Sequence, residues 1–237
     1  MRLPTIEGII RRRILVNYRV RPQVIQRLLP SRFRPKLHNG QAVAGICLIR
    51  LEHIRPKMLP EVLGISSENA AHRVAVLWDD ENGVTREGVF IPRRDTDSPL
   101  NHFLGGKAFP GEYNLATFKV EESDSKIDFS MNSEDGTVAV EVKGTLSGSL
   151  PETSIFGSVS EASTFFESGS LGYSARRNSD ELDAIELETK EWRVEPLSIE
   201  KVYSSYFADE HRFPKGTVEF DHTLIMRNIA HEWHIAS

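Results

Sequence analysis

The segment Ala108-Phe109-Pro110-Gly111-Glu112-Tyr113 sets a glycine and a carboxylate directly behind an aromatic-proline pair. Gly111 has no side chain and Glu112 offers a carboxylate, so neither can form an imine with a carbonyl substrate. The nearest amine is Lys107, three residues before Pro110 and directly behind Gly105-Gly106. A Schiff-base lysine needs its pKa lowered by burial or by a neighbouring cation. No cation adjoins Lys107 in sequence, although Arg93 and Arg94 could supply one in space; otherwise it is an exposed lysine. A second cluster, His222, His231 and His234 with Asp221 and Glu232 beside them, has the donor types of a hydrolytic zinc site with one open position. It lacks the His-Glu-x-x-His arrangement, and Trp233 between two of the histidines reads as a packed strand or helix end, so no metal is expected. Gly105-Gly106-Lys107 is too short for a phosphate loop, and Ser168-Gly169-Ser170-Leu171-Gly172 lacks the Gly-x-Ser-x-Gly order of a nucleophile elbow. Cys47 lies in the apolar run Ala42–Ile49 and reads as a small buried residue. The chain is expected to need no cofactor.

These residues must be positioned mainly by strands. Arg13–Val20 is rich in branched and aromatic residues and reads as a strand. Pro22 suits the first turn of a short helix whose apolar face is Val24, Ile25, Leu28 and Leu29, and Pro30 ends it. Gln41–Ile49 is the next strand. Val74–Trp78 and Gly88–Ile91 form a hairpin across the turn-rich Asp79–Gly83. From Thr117 to Leu146 three runs alternate strictly: Phe118 and Val120; Ile127, Phe129 and Met131; Val138, Val140 and Val142. Short polar turns join them, which predicts an antiparallel meander with one buried and one wet face. Short helices are expected at Ser98–Leu104, Ser160–Phe166 and Tyr203–Asp209, and polar loops at Ser147–Thr153 and Arg176–Asp180. Nothing in the composition marks a boundary, so residues 1–237 read as a single domain.

Three stretches, in order, resemble the acetoacetate decarboxylase-like superfamily. The first is Tyr18-Arg19 followed by the helix and Leu28-Leu29-Pro30. The second is Ser67-Glu68-Asn69 ahead of a strand starting near Arg73. The third is the segment that Phe109-Pro110 opens. In that family an aromatic residue and a proline precede two lysines; the first forms a Schiff base with the keto substrate and the second lowers its pKa. Here Gly111 and Glu112 stand in their places. The resemblance covers about the first 145 residues. With the segment His222–His231 it is closest to an uncharacterised domain family of the superfamily that lacks the lysine pair.

The resemblance implies a mainly β (α+β) chain: an antiparallel β-barrel with a few peripheral helices, enclosing a pocket for a small organic or keto acid. Glu68 matches a family active-site glutamate, and Arg11 falls where the family has an active-site arginine. Gly111 and Glu112 would stand at the pocket wall with Glu68 facing them, while His72 and His102 fall in the pocket half. Two carboxylates sharing a desolvated pocket would have one pKa raised, giving a general acid and a general base for imine-free lyase or hydrolase chemistry. Arg11 would grip a substrate carboxylate in bidentate fashion. The competing reading leaves Glu112 at a solvent-facing strand start and Glu68 in a loop. A non-catalytic binding or sensing module is then the alternative. The resemblance also implies a homo-oligomer.

The bulk properties agree with a globular chain. Its 237 residues are 39% hydrophobic, and no apolar run approaches membrane-spanning length. No signal-peptide core follows Met1, and one cysteine excludes an internal disulfide. The expected location is the cytoplasm. Net charge is −5, yet residues 1–60 carry 13 basic against two acidic residues, leaving 16 against 32 for the remainder. A basic quarter of this kind either packs against the acidic remainder or serves as an interaction surface. No nucleic-acid motif accompanies it, so neither nucleic acid nor membrane is an expected partner.

Overall fold

The computed structural model describes residues 5–105, 111–175 and 182–235. In chain order these form β1 (Ile6–Val20), α1 (Pro22–Leu28), the two-residue strands β2 (Arg34–Pro35) and β3 (Leu37–His38), β4 (Gln41–Pro56), β5 (Ile65–Asp79), β6 (Thr85–Thr96) and α2 (Pro99–Leu104). Then come β7 (Tyr113–Glu122), β8 (Lys126–Ser133), β9 (Ala139–Leu146), α3 (Val159–Glu167), β10 (Leu171–Ala175), β11 (Leu182–Thr189), β12 (Glu195–Ser204), α4 (Ser205–Ala208) and β13 (Val218–Ile235). No helix among the described residues is long and apolar enough to cross a membrane.

The strands close into two circuits that share one wall. The wall is β13-β1-β4-β5-β6, antiparallel throughout. At its two margins the sheet forks. β6 pairs with β10 through Val89–Ile91 and with β7 through Arg94–Thr96, both parallel. β13 pairs with β12 through Thr223–Ile225 and with β11 through His231–Ile235. One circuit runs from β6 through the meander β7-β8-β9 and β12 back to β13. The other runs through β10 and β11. The expected antiparallel barrel is therefore a pair of fused rings with two parallel pairs at the fork.

Strand alternation decides what each ring contains, because successive side chains point to opposite faces. Ile14, Val16, Ala44, Ile46, Leu48, Ala70 and Val74 face the meander side, where Phe129, Met131, Val140 and Val142 fill the ring with close-packed apolar side chains. The intervening residues Leu15, Cys47 and Ala75 face the other side and meet Phe156, Ala162 and Phe166 around α3. Helix α3 starts with a reciprocal cap. Ser158 Oγ accepts from the Glu161 amide (3.1 Å), and the Glu161 carboxylate accepts from the Gly157 amide (2.6 Å). That cap anchors the helix whose Phe165 and Phe166 close this end of the second ring.

The meander, the β5–β6 hairpin and all four α-helices lie where periodicity and turn chemistry predict. Other boundaries differ. β5 begins at Ile65, so Glu68 lies inside a strand and not ahead of one: Ser66-Ser67-Glu68-Asn69 has no apolar alternation, and its extension is imposed by pairing with β4 and β6. The histidine-bearing C-terminal segment is strand β13. Residues 182–204 hold two strands that local periodicity does not mark. The expected loop at Arg176–Asp180 lies outside the described residues. The basic quarter is paired with the acidic remainder at many points, including Arg19 with Glu219, Arg34 with Asp79, Lys36 with Glu87 and Lys57 with Glu232.

Two core histidines make folding sensitive to acid. His72 is fully buried against Tyr206 (ring centroids 4.4 Å), and both of its ring nitrogens lack a hydrogen-bond partner. Burial, helped by Arg93 and Arg212, lowers its pKa from 6.5 to about 3. Burial likewise lowers His231 to about 4. Between the ordinary and the folded pKa only the unfolded chain takes up the proton, so stability present above about pH 6.5 is lost as pH falls. Urea unfolding between pH 6 and pH 4 should lose up to about 1.4 kcal/mol per pH unit for each of these histidines. His72→Phe should flatten that slope by about one histidine's worth; an unchanged slope would exclude His72 as the cause.

Candidate functional site

The second ring encloses a cavity of about 110 Å³. One buried water needs roughly 10–15 Å³ of such space, so the cavity has room for a small organic acid. Its walls are largely apolar, with Ile49, Leu51, Ile91, Ile185, Leu187 and Trp233 among them. Three arginines reach it from three strands: Arg13 of β1, Arg73 of β5 and Arg94 of β6. Cys47 of β4 lies in the same wall and is 3% exposed.

Each arginine is held by something other than a carboxylate. Arg13 Nε donates to Cys47 Sγ (3.0 Å), and its guanidinium lies 5.7 Å from the Trp192 ring. Arg94 Nε donates to Ser174 Oγ (3.1 Å), and its guanidinium lies 5.6 Å from the Tyr113 ring. Arg73, 4% exposed, stacks over Phe166 at 4.9 Å, and its buried Nε has no partner. Burial lowers the Arg73 pKa to about 10, with Cys47 opposing the shift and Arg13 adding to it. It therefore stays a cation at neutral pH.

A polar relay orients Arg73. Its Nη2 donates to Asn17 Oδ1 (2.5 Å), and Asn17 Nδ2 lies 3.1 Å from His222 Nε2. His222 Nδ1 lies 2.6 Å from Asp221 Oδ2, which also accepts from Ser154 Oγ. Burial lowers the His222 pKa, so the ring is neutral. Burial opposes the charge on Asp221, but hydrogen bonds from His222, Ser154 and the Ile155 amide hold its pKa below the usual range. Only one proton arrangement satisfies the chain. Asp221 accepts from Nδ1–H, so Nε2 must accept from the Asn17 amide, which leaves Asn17 Oδ1 for Arg73. Gly45 makes room for this. It pairs with both Asn17 and Arg73, and a Cβ there would lie 2.3 Å from the Val16 carbonyl oxygen and 3.3 Å from Asn17 Oδ1.

Gly111 sits at the β6 fork, just before β7. Its φ of +78° belongs to the left-handed region that glycine tolerates best. A Cβ at this position would lie 2.8 Å from Ser174 Cβ and 2.9 Å from Arg94 Nε. Arg94 thus fills the space into which a side chain at 111 would grow. The Gly111 amide donates to Asp183 of β11 (2.9 Å).

The residues singled out from sequence scatter around this cavity. Glu68 is buried on the opposite face of β5, inside the meander ring, where its carboxylate accepts from Arg12 at 2.6 Å. Arg12, 1% exposed, also binds Glu122 at 2.8 Å and lies 5.8 Å from the Phe129 ring. Burial raises the Glu68 pKa against the opposing pull of Arg12 and Arg50. Arg11 is exposed and donates to Asn228; the arginine that meets Glu68 is the next one along. His72 faces the apolar core, not the cavity. His102 is exposed, with Nδ1 2.5 Å from the Tyr113 carbonyl oxygen. Glu112 is half-buried beside Gly111. Lys107, Phe109 and Pro110 lie outside the described residues. Among the described residues no three His, Cys, Asp or Glu side chains converge as a metal site would require; His222 serves the Arg73 relay, and His231 packs against Trp233. Sequence reasoning does not single out Arg13 and Arg73 as site residues. The available signal is a charged residue inside an apolar strand, as in Ala70-Ala71-His72-Arg73-Val74-Ala75-Val76.

Comparison with known proteins agrees with this architecture. An acetoacetate decarboxylase from Legionella pneumophila superposes with a TM-score of 0.62 at 12% identity, over 99% of this chain and 88% of that one. The enduracididine biosynthesis enzyme MppR, solved in complex with pyruvate, gives 0.58 at 12% identity over 97% and 87%. An acetoacetate decarboxylase-like enzyme from Sphingomonas wittichii RW1 gives 0.56 at 12% identity over 98% and 91%. At such identities the likeness is one of fold. No curated protein sequence matches the chain. A family profile described as an uncharacterised conserved protein, DUF2071, matches residues 10–226. With its profile matching nearly the whole chain, the protein belongs to the DUF2071 family and shares the fold of acetoacetate decarboxylases.

Proposed function

We propose that the second ring is a binding chamber for a small organic or keto acid, gripped by arginines and handled without an imine at positions 111 and 112. The observation that carries this reading is the convergence of Arg13, Arg73 and Arg94 on one largely apolar cavity. A guanidinium fork matches a carboxylate in bidentate fashion, and a low-dielectric wall strengthens the pairing. The pyruvate complex of MppR supports the reading by analogy of fold. Pyruvate and acetoacetate are therefore the first ligands to try. Arg73→Gln should weaken their binding about 10-fold or more, as expected for a lost hydrogen bond to a charged group. Calorimetric titration checks this, and equal affinity in the variant would sink the assignment.

Whether bound acid is turned over divides two readings. Acid/base catalysis as an imine-free lyase or hydrolase would draw on Glu112 at the rim, while Arg12 occupies Glu68. A binding or sensing module needs only the arginine grip. The absence of a carboxylate from the cavity wall, among the described residues, favours the second reading. Borohydride reduction in the presence of acetoacetate should leave the chain unlabelled by mass; an adduct on Lys107 would restore imine chemistry from a relocated lysine. Gly111→Ala tests the rim. It should destabilise the fold by about 1 kcal/mol or more through a positive φ and a crowded Cβ, read from urea midpoints. An unchanged midpoint would mean that Arg94 and Ser174 yield freely.

A further inference from the structure

The cavity has two cationic ends. Near the β6–β7 fork a side chamber of about 60 Å³ holds Arg94 with Ser67, Asn69, Asn101 and Tyr113, and excludes Arg13 and Arg73. Beneath α3 a smaller one of about 20 Å³ holds Arg13, Arg73 and Lys36, and excludes Arg94. The central chamber lies between them, sharing Arg94 and Tyr113 with the first and Arg13, Arg73 and Val89 with the second.

Elsewhere the protein neutralises its inward-facing arginines with its own carboxylates. Arg12 has Glu68 and Glu122, and Arg93 has Asp95 and Asp135. Lys36, at the α3 end, is paired with Glu87. The three cavity arginines instead contact a thiol, a carboxamide, a hydroxyl and aromatic faces. Asp183, beside Gly111, accepts that residue's amide proton. A cation withdrawn from water without a counter-ion is costly. A monocarboxylate would neutralise one end and leave the other uncompensated.

We propose that the ligand is a dicarboxylic acid with a short apolar spacer, one carboxylate on Arg94 and the other on Arg13 and Arg73. This deepens the organic-acid reading above and rests on it. Asn69 Oδ1, buried without a hydrogen-bond partner on the Arg94 side, adds an acceptor for a ligand hydroxyl or a bridging water.

The test is calorimetric titration of the full chain at fixed ionic strength with butyrate, pyruvate, glutarate and 2-oxoglutarate. Each diacid should bind at least 10-fold tighter than the monoacids. Arg94→Gln should narrow that ratio to under threefold, and Arg94→Lys, which keeps the charge, should retain most of it. Equal affinity of mono- and diacids for the unmodified chain, a comparison that needs no variant, would overturn the two-ended assignment while leaving the organic-acid reading standing. Binding of none of the four acids would overturn both.

Discussion

Everything in this molecule depends on the register of the ladder β13-β1-β4-β5. In a strand the side-chain period is two, so a slip of one residue moves a whole set of side chains to the opposite face. Here one face must fill a solid ring and the other must line a chamber. With Leu15 opposite Cys47 and Cys47 opposite Ala71, Ile14, Leu48 and Ala70 enter the packed ring while Arg13 and Arg73 enter the cavity. Slipping β1 by one would bury Arg13 against Phe129 and strand Ile14 among cations. The apolar cost of such an exchange, roughly 1.5–3 kcal/mol per large side chain, is what holds the register.

The second governing effect is electrostatic. Arg12 and Arg13 are neighbours with opposite fates. Arg12 is buried and neutralised by Glu68 and Glu122, so it closes one end of the packed ring. Arg13 is turned toward Cys47 and the chamber. Burying a charge beside its partner is tolerable, whereas Arg13 without a carboxylate stays only half-buried. The Asp221-His222-Asn17-Arg73 relay extends the same logic. It spends a neutral imidazole and a carboxamide on aiming one guanidinium, and it ties that aim to the loop carrying Ser154 and Ile155.

At the fork of β6 a glycine and an arginine share one space. Gly111 surrenders its side-chain volume, and Arg94 and Ser174 occupy it. A guanidinium in that space cannot form an imine, yet it keeps a positive charge at the chamber wall.

How much of this was legible in the chain depends on the range of the interactions. Alternation in Phe118–Val142, the proline-started helix at Pro22 and the serine-capped helices are local, so the residues themselves announced them. The absence of an amine at 111 and 112 was equally plain. Alternation states which residues of a strand share a face but not which face meets a cavity, and it blurs where polar residues occupy both faces, as from Ile65 to Asn69. Choosing Arg12 over Arg11 as the partner of Glu68, and Arg13 with Arg73 and Arg94 as a set, required pairings between strands dozens of residues apart. Local pattern is enough for the mainly β character, the buried apolar face and the want of an amine at positions 111 and 112. Which cations share a chamber emerges only on folding, because absolute facing is set by long-range strand register and not by local periodicity.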